Sequence, residues 1–212
     1  MINLNKKIKK NRGMTYVELI VVLSIFAIMS AVSMFNYRGF QAKIDIKNLA
    51  TDIAMQIVGA QKDAMAGRLP PTGSPSLNWK PAYGIHFDIS NNVSNKRFIY
   101  FADLNDTKIY QEAFNSIVDC SGDPFCVDKI NITKGNYVLS LQVVGSNSCN
   151  STSKVDVVFK RPDSSAILSA DGINCGTFSK VVISISSAAP DNLAKVNINL
   201  YQSGRIEITN VN

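Results

Sequence analysis

Glu18 is a lone carboxylate at the start of a stretch otherwise written for lipid, because Leu19 to Phe35 carries no charged residue. An acid at the edge of hydrocarbon is costly, and such groups are usually paired and functional. A cation to offset it would appear if the chain were cut between Gly13 and Met14, which frees an α-amino group four residues before Glu18. Within one chain the two charges could interact. Between neighbouring helices offset along a bundle, the amine of one copy would meet the carboxylate of the next, and a repeating contact of that kind builds a filament.

Four cysteines form the second set of reactive groups: Cys120, Cys126, Cys149 and Cys175. An even number in a segment that leaves the cytoplasm favours two disulfides, for which three connectivities exist. Sequential pairing, Cys120 with Cys126 and Cys149 with Cys175, is favoured, since "CSGDPFC" places a Gly-Asp-Pro turn between its cysteines. A metal site is disfavoured: the chain has no Cys-x-x-Cys, and His86 is its only histidine. "DLND", with Asp103, Asn105 and Asp106, alternates oxygen ligands as a calcium loop does but lacks the following glycine and the terminal glutamate. It reads as a turn. His86 alternates onto the strand face opposite Tyr83, Ile85, Phe87 and Ile89, which implies a solvent-facing histidine. No Gly-x-Ser-x-Gly elbow and no Gly-rich phosphate loop is present, so no catalytic residue, metal or cofactor is assigned and an enzyme is not expected.

These groups are positioned by a chain of 212 residues and net charge +6. Five of its 22 basic residues (Lys6, Lys7, Lys9, Lys10 and Arg12) precede Gly13, leaving 17 basic against 16 acidic. Basicity therefore belongs to the leader and gives little support to a nucleic-acid partner. A basic start followed by about twenty apolar residues makes an export or anchoring signal, with the leader on the cytoplasmic side. Between Met14 and Gly67 there is no proline, and Gly39 and Gly59 are the only interior glycines. Past the apolar span, Tyr37, Phe40, Ile44, Leu49, Ile53, Ile57, Ala60 and Ala64 recur mostly three or four apart, which predicts that the helix continues with an apolar stripe. Unbroken, it would reach about 80 Å.

"GRLPPTGSPS" ends the helix: Gly67 suits a C-terminus, and Pro70, Pro71 and Pro75 forbid continuation. The period then switches to two. Strands are predicted in "AYGIHFDIS", "RFIYFA", "KINIT", "GNYVLSLQVV" (Tyr137, Leu139, Leu141 and Val143 on one face), "KVDVVF", "KVVISIS", "KVNINLY" and "GRIEIT". The expected fold is α+β. A long N-terminal helix, membrane-spanning over about 14–35 and amphipathic beyond, packs on an antiparallel β-sheet head. The segments are a leader over 1–13, the helix over 14–68 and the head over 69–212. Trp79, the only tryptophan, is expected to pack helix against sheet.

The basic leader ending in Gly13, the hydrophobic Met14, the acid at Glu18 and the apolar span running into an amphipathic helix closely resemble the class III signal of type IV pilins and type II secretion pseudopilins. The resemblance implies cleavage after Gly13 by a prepilin peptidase, N-methylation of Met14 and a registration role for Glu18. Other pilin or pseudopilin subunits would be the partners. The protein would sit as a single-pass subunit in a bacterial inner membrane, head in the periplasm, before joining a filament there or at the cell surface. "AYGIHFDIS", "RFIYFADLND", "VVFKRPDSSAIL" and "KVNINLYQSGRIEI" look like the order of features in GspH/FimT-type minor pilins, in which a Gly-Arg lies near the C-terminus. Here that pair is Gly204-Arg205.

Some members of that group bind DNA through further C-terminal arginines, which would make Arg205 a nucleic-acid contact. Glu207 stands where a second cation would be expected, and the segment from Leu69 onward holds twelve basic and twelve acidic residues, so it has no net pull on phosphate. Local patches remain at Lys96-Arg97 and Lys160-Arg161. Two plainer readings of the N-terminus stay open. One is an uncleaved anchor, against which the amphipathic extension argues. The other is a secretory signal cut within "SAVSM", leaving Met34 first. An anchored periplasmic binding protein would follow from either.

Overall fold

The computed structural model describes residues 13–71, 79–111, 119–146, 149, 151–188 and 194–211, which divide into two compact units between Phe40 and Gln41. The leader before Gly13, the linker proline Pro75 and Asn147, Ser148 and Asn150 of the loop "GSNSCNSTS" lie outside the described residues.

Helix α1 (Tyr16–Ala66) opens the chain. It stops where expected and for the expected reason: Gly67 takes a left-handed φ of 67°, its N–H bonds to Ala64 O, and Arg68 N–H bonds to Asp63 O, a Schellman-type end. In the first unit, every described side chain from Met14 to Met34 is exposed. This helix is long and apolar enough to cross a membrane.

In the second unit the helix buries one face through Ile46, Ala50, Ile53, Ile57, Ala60 and Ala64, spaced alternately four and three apart. Ile44 lies outside it because two residues before Ile46 is about 200° of turn. Tyr37 and Phe40, expected in the stripe, are 63% and 62% exposed.

Among the described residues, eleven strands form the head: β1 (Ala82–Asp88), β2 (Arg97–Ala102), β3 (Cys126–Asn131), β4 (Tyr137–Val144), β5 (Ser151–Thr152), β6 (Lys154–Lys160), β7 (Asp163–Ala170), β8 (Ile173–Asn174), β9 (Lys180–Ser186), β10 (Lys195–Tyr201) and β11 (Ile206–Val211). They make two antiparallel sheets where the sequence reading expected one, ordered β3-β2-β1-β6-β7-β8 and β11-β10-β9-β4-β5. The buried helix face, the inner residues Tyr83, Ile85, Phe87, Val157 and Leu168, and Leu141, Ile183, Ile185 and Ile198 of the second sheet join one core. Burying an isoleucine such as Ile53 or Ile57 contributes about 2–3 kcal/mol. Trp79 packs against this core and donates Nε1–H to Asp103 O at 2.7 Å.

In β4 the alternation expected from Tyr137, Leu139, Leu141 and Val143 breaks. The pairing with β9 shifts register between Val138 and Ser140, so Val138 is buried and Leu139 exposed. A bulge inserts one residue and flips the faces before it.

The outer face of the six-stranded sheet is also covered. Ala82, Ile99, Phe101, Tyr110, Cys126 and Val158 form a second apolar cluster there, which is why β1 is buried along nearly its whole length. Gly84 is required on that face: an added Cβ would sit 2.6 Å from Val157 O and 2.8 Å from the Phe101 ring. Gly84→Ala is therefore expected to cost about 2–3 kcal/mol through overpacking, read as a lowered urea midpoint at unchanged slope.

Polar bonds fasten the helix to the head. Lys134 Nζ donates to Asp45 Oδ1 at 2.6 Å, Gln61 Nε2 to Ser164 O at 2.8 Å and Tyr100 Oη to Asp63 Oδ2 at 2.7 Å. Tyr83 Oη donates to Arg68 O at 3.0 Å. Burial pushes the Tyr83 phenol up to about 12, and burial with the Asp63 bond raises Tyr100 further. A phenol whose folded pKa lies above its unfolded value stabilises fully below the unfolded value of about 10, and that stability is lost as pH rises through the folded one. Thermal midpoints of the head are expected to fall between about pH 10 and 12. In Tyr83→Phe, which keeps the ring, that slope should be shallower.

Candidate functional site

Gly13 and Met14 lie just before the helix, and both are exposed. Thr15 caps it: its Oγ1 accepts the Glu18 N–H at 3.3 Å, and its carbonyl takes the first helical bond, from Leu19. The spacing Thr-x-x-Glu is that of a capping box, with Glu18 in the first turn, where the helix dipole favours an acid. The sequence reading missed Thr15, although the signal was present in "TYVE". Part of the cost of Glu18 is thus met inside its own helix. Downstream, Ser24 and Ser33 return their hydroxyls to the carbonyls of Ile20 and Met29, so neither brings an unsatisfied donor to an apolar surrounding.

Among the sequence-selected residues, the four cysteines are joined Cys120–Cys126 and Cys149–Cys175, with Cα separations of 5.3 and 5.5 Å. Cys149 precedes β5 and Cys175 follows β8, the outermost strands of the two sheets, so the second bridge ties one sheet's edge to the other's. Constraining the unfolded chain in this way typically contributes about 2–4 kcal/mol.

Arg205 sits in the β10–β11 turn. Its guanidinium stacks 4.0 Å over the Tyr201 ring and lies 3.8 Å from Glu207 Oε2, which also accepts the Tyr201 hydroxyl at 2.7 Å. A cation set beside its own acid offers little net field to a phosphate. Gly204 belongs to the packing of this turn: with φ at 83°, an added Cβ would lie 2.8 Å from Ser164 O. Lys160 pairs with Asp106, so that patch is compensated as well.

Two further expectations meet different fates. The "DLND" acids serve the turn: Asp103 is buried, its carboxylate accepts Thr107 N–H and Lys108 N–H, and Asp106 holds Lys160. His86 is not solvent-facing as expected. It is only 9% exposed, because the segment around Tyr110 covers the outer sheet face and sets that ring against the imidazole. His86 Nδ1 lies 2.7 Å from Asp156 Oδ1, which also accepts Tyr110 N–H at 3.1 Å. Beside this pair, Asp88 titrates below the usual carboxylate range: burial opposes this, but bonds from Ser90 and the Lys154 and His86 charges outweigh it.

Comparison with protein-family models, curated proteins and solved structures finds no match to this chain.

Proposed function

We propose that this protein is a pilin-like structural subunit, of the minor pilin or pseudopilin kind, held in a bacterial inner membrane by its N-terminal helix and then drawn into a filament. It acts by assembly rather than catalysis. The observation that carries the reading is the exposed apolar helix with one acid, Glu18, in its first capped turn and an exposed Gly13-Met14 pair just before it. Prepilin-type cleavage there supplies the amine that pairs with Glu18 of an adjoining copy or companion subunit.

Transfer from lipid to a bundle of helices exchanges one apolar surrounding for another. Hydrophobic burial alone therefore gives no drive, and the preference comes from packing and from neutralising Glu18. Shearing filaments from the native cells and separating them from detergent-soluble membrane protein tests the role. The chain is expected in the filament fraction together with other pilins. Its confinement to the soluble pool would overturn the reading. Gly13→Leu, which blocks the small-residue cleavage position, should leave every molecule heavier by its leader and absent from filaments.

A further inference from the structure

A cleft of about 290 Å³ opens on the outer face of the six-stranded sheet, and assembly through the helix makes no use of it. Its floor carries the His86–Asp156 pair. A carboxylate only accepts hydrogen bonds, so Asp156 holds an imidazole proton on Nδ1 and leaves Nε2 to the cleft, where a hydroxyl, which both donates and accepts, can meet it. Among the described residues Nε2 has no hydrogen-bond partner. Nor is it one of the enclosed unsatisfied atoms, which are Asn95 Oδ1 and Ser169 Oγ, so the cleft gives solvent access to it. One step along the sheet, Lys154 Nζ stands 3.8 Å from Asp88 Oδ2, beyond hydrogen-bond range, and is half-exposed. The imidazole Nε2, the Lys154 ammonium as donor and the Asp88 carboxylate as acceptor thus line one cleft, beside apolar Ile99 and Ile109.

Charge decides what fits. Arg97 and Lys154 line the cleft with Asp88, Asp156 and Asp171, and His86 is tied to Asp156. A free anion would meet three carboxylates and a free cation two basic groups, whereas alternating hydroxyls meet matched partners without either repulsion. The volume of about 290 Å³ lies just below the roughly 300–1,000 Å³ of ligand pockets, room for one ring rather than an extended chain. We propose that this cleft binds one ring of a neutral, polyhydroxylated ligand, a saccharide unit, with His86 Nε2 hydrogen-bonded to one hydroxyl and Lys154 donating to its neighbour.

His86 is the chain's only histidine, so its ring carbon signal reports on the cleft without assignment. The test uses the full chain in zwitterionic micelles, labelled at histidine Cε1. Methyl glycosides of glucose, galactose, mannose and N-acetylglucosamine are titrated at fixed pH, with acetate and inorganic phosphate as controls. At least one glycoside is expected to shift the signal saturably, with no change in His86 protonation. Lys154→Met should weaken it about tenfold, the weight of one hydrogen bond to a charged group. Asp88→Asn, which keeps the oxygen that accepts Ser90 N–H, should weaken it also. Silence with all four glycosides, an effect untouched by Lys154→Met, or a response to acetate or phosphate with proton uptake at His86 would each overturn the proposal.

Discussion

Glu18→Ala is expected to leave the protein inserted in the membrane and to remove it from filaments. Deleting a charge from the end of an apolar span makes insertion easier, so failure at that stage cannot explain the loss. On the proposed assembly, the missing term would be the amine–carboxylate contact between subunits, worth about 1.5–3 kcal/mol as a charge-assisted bond. That predicts a fall of roughly tenfold or more in the filament fraction. The capping geometry supplies the control. If Glu18 served only its own helix, Thr15→Ala, which deletes the observed cap at about 1 kcal/mol, would damage assembly as much as Glu18→Ala. The expected result is that Thr15→Ala frays the first turn and still assembles, and parity between the two variants would reduce Glu18 to a capping residue.

Ile57→Asp and Val58→Asp, one position apart on the helix, should differ sharply. Ile57 is 0% exposed and Val58 is 50% exposed, because 100° of helical turn separates the buried face from its flank. An unpaired carboxylate in the core costs several kcal/mol beyond the lost packing, comparable to the total stability of an ordinary domain, about 5–15 kcal/mol. Ile57→Asp is expected to unfold the head, seen as loss of the cooperative thermal transition. Val58→Asp should keep its midpoint within a few degrees. Equal effects would mean that the helix does not lay its Ile46–Ala64 face on the sheets.

Much of the fold could be read from periodicity. The helix was visible in the absence of proline and in the three-four spacing from Leu49 to Ala64, and its end in Gly67. Eight strands were visible in two-residue alternation. What stayed hidden was hidden for physical reasons. β7 is written with Ser164, Ser165 and Ser169, which carry no β-branched signal. The second sheet could not be separated from the first because strand pairing is non-local, and only the Cys149–Cys175 staple hinted at two edges meeting. His86 looked exposed because alternation says which face a residue takes, not whether another segment covers that face. The two-residue step between Ile44 and Ile46 misplaced the start of the buried stripe, and the β4 bulge inverted Leu139. At the N-terminus Glu18 stood out by its charge, whereas Thr15 was overlooked because a cap signal beside an apolar span competes with a stronger pattern.

The mass of the mature N-terminal peptide, taken from protein extracted from native membranes, tests the account at its base. A first residue of Met14, heavier by one methyl group, is the expected result. A peptide that retains the residues before Met14, or one that begins at Met34, would contradict it, because no amine would then stand beside Glu18.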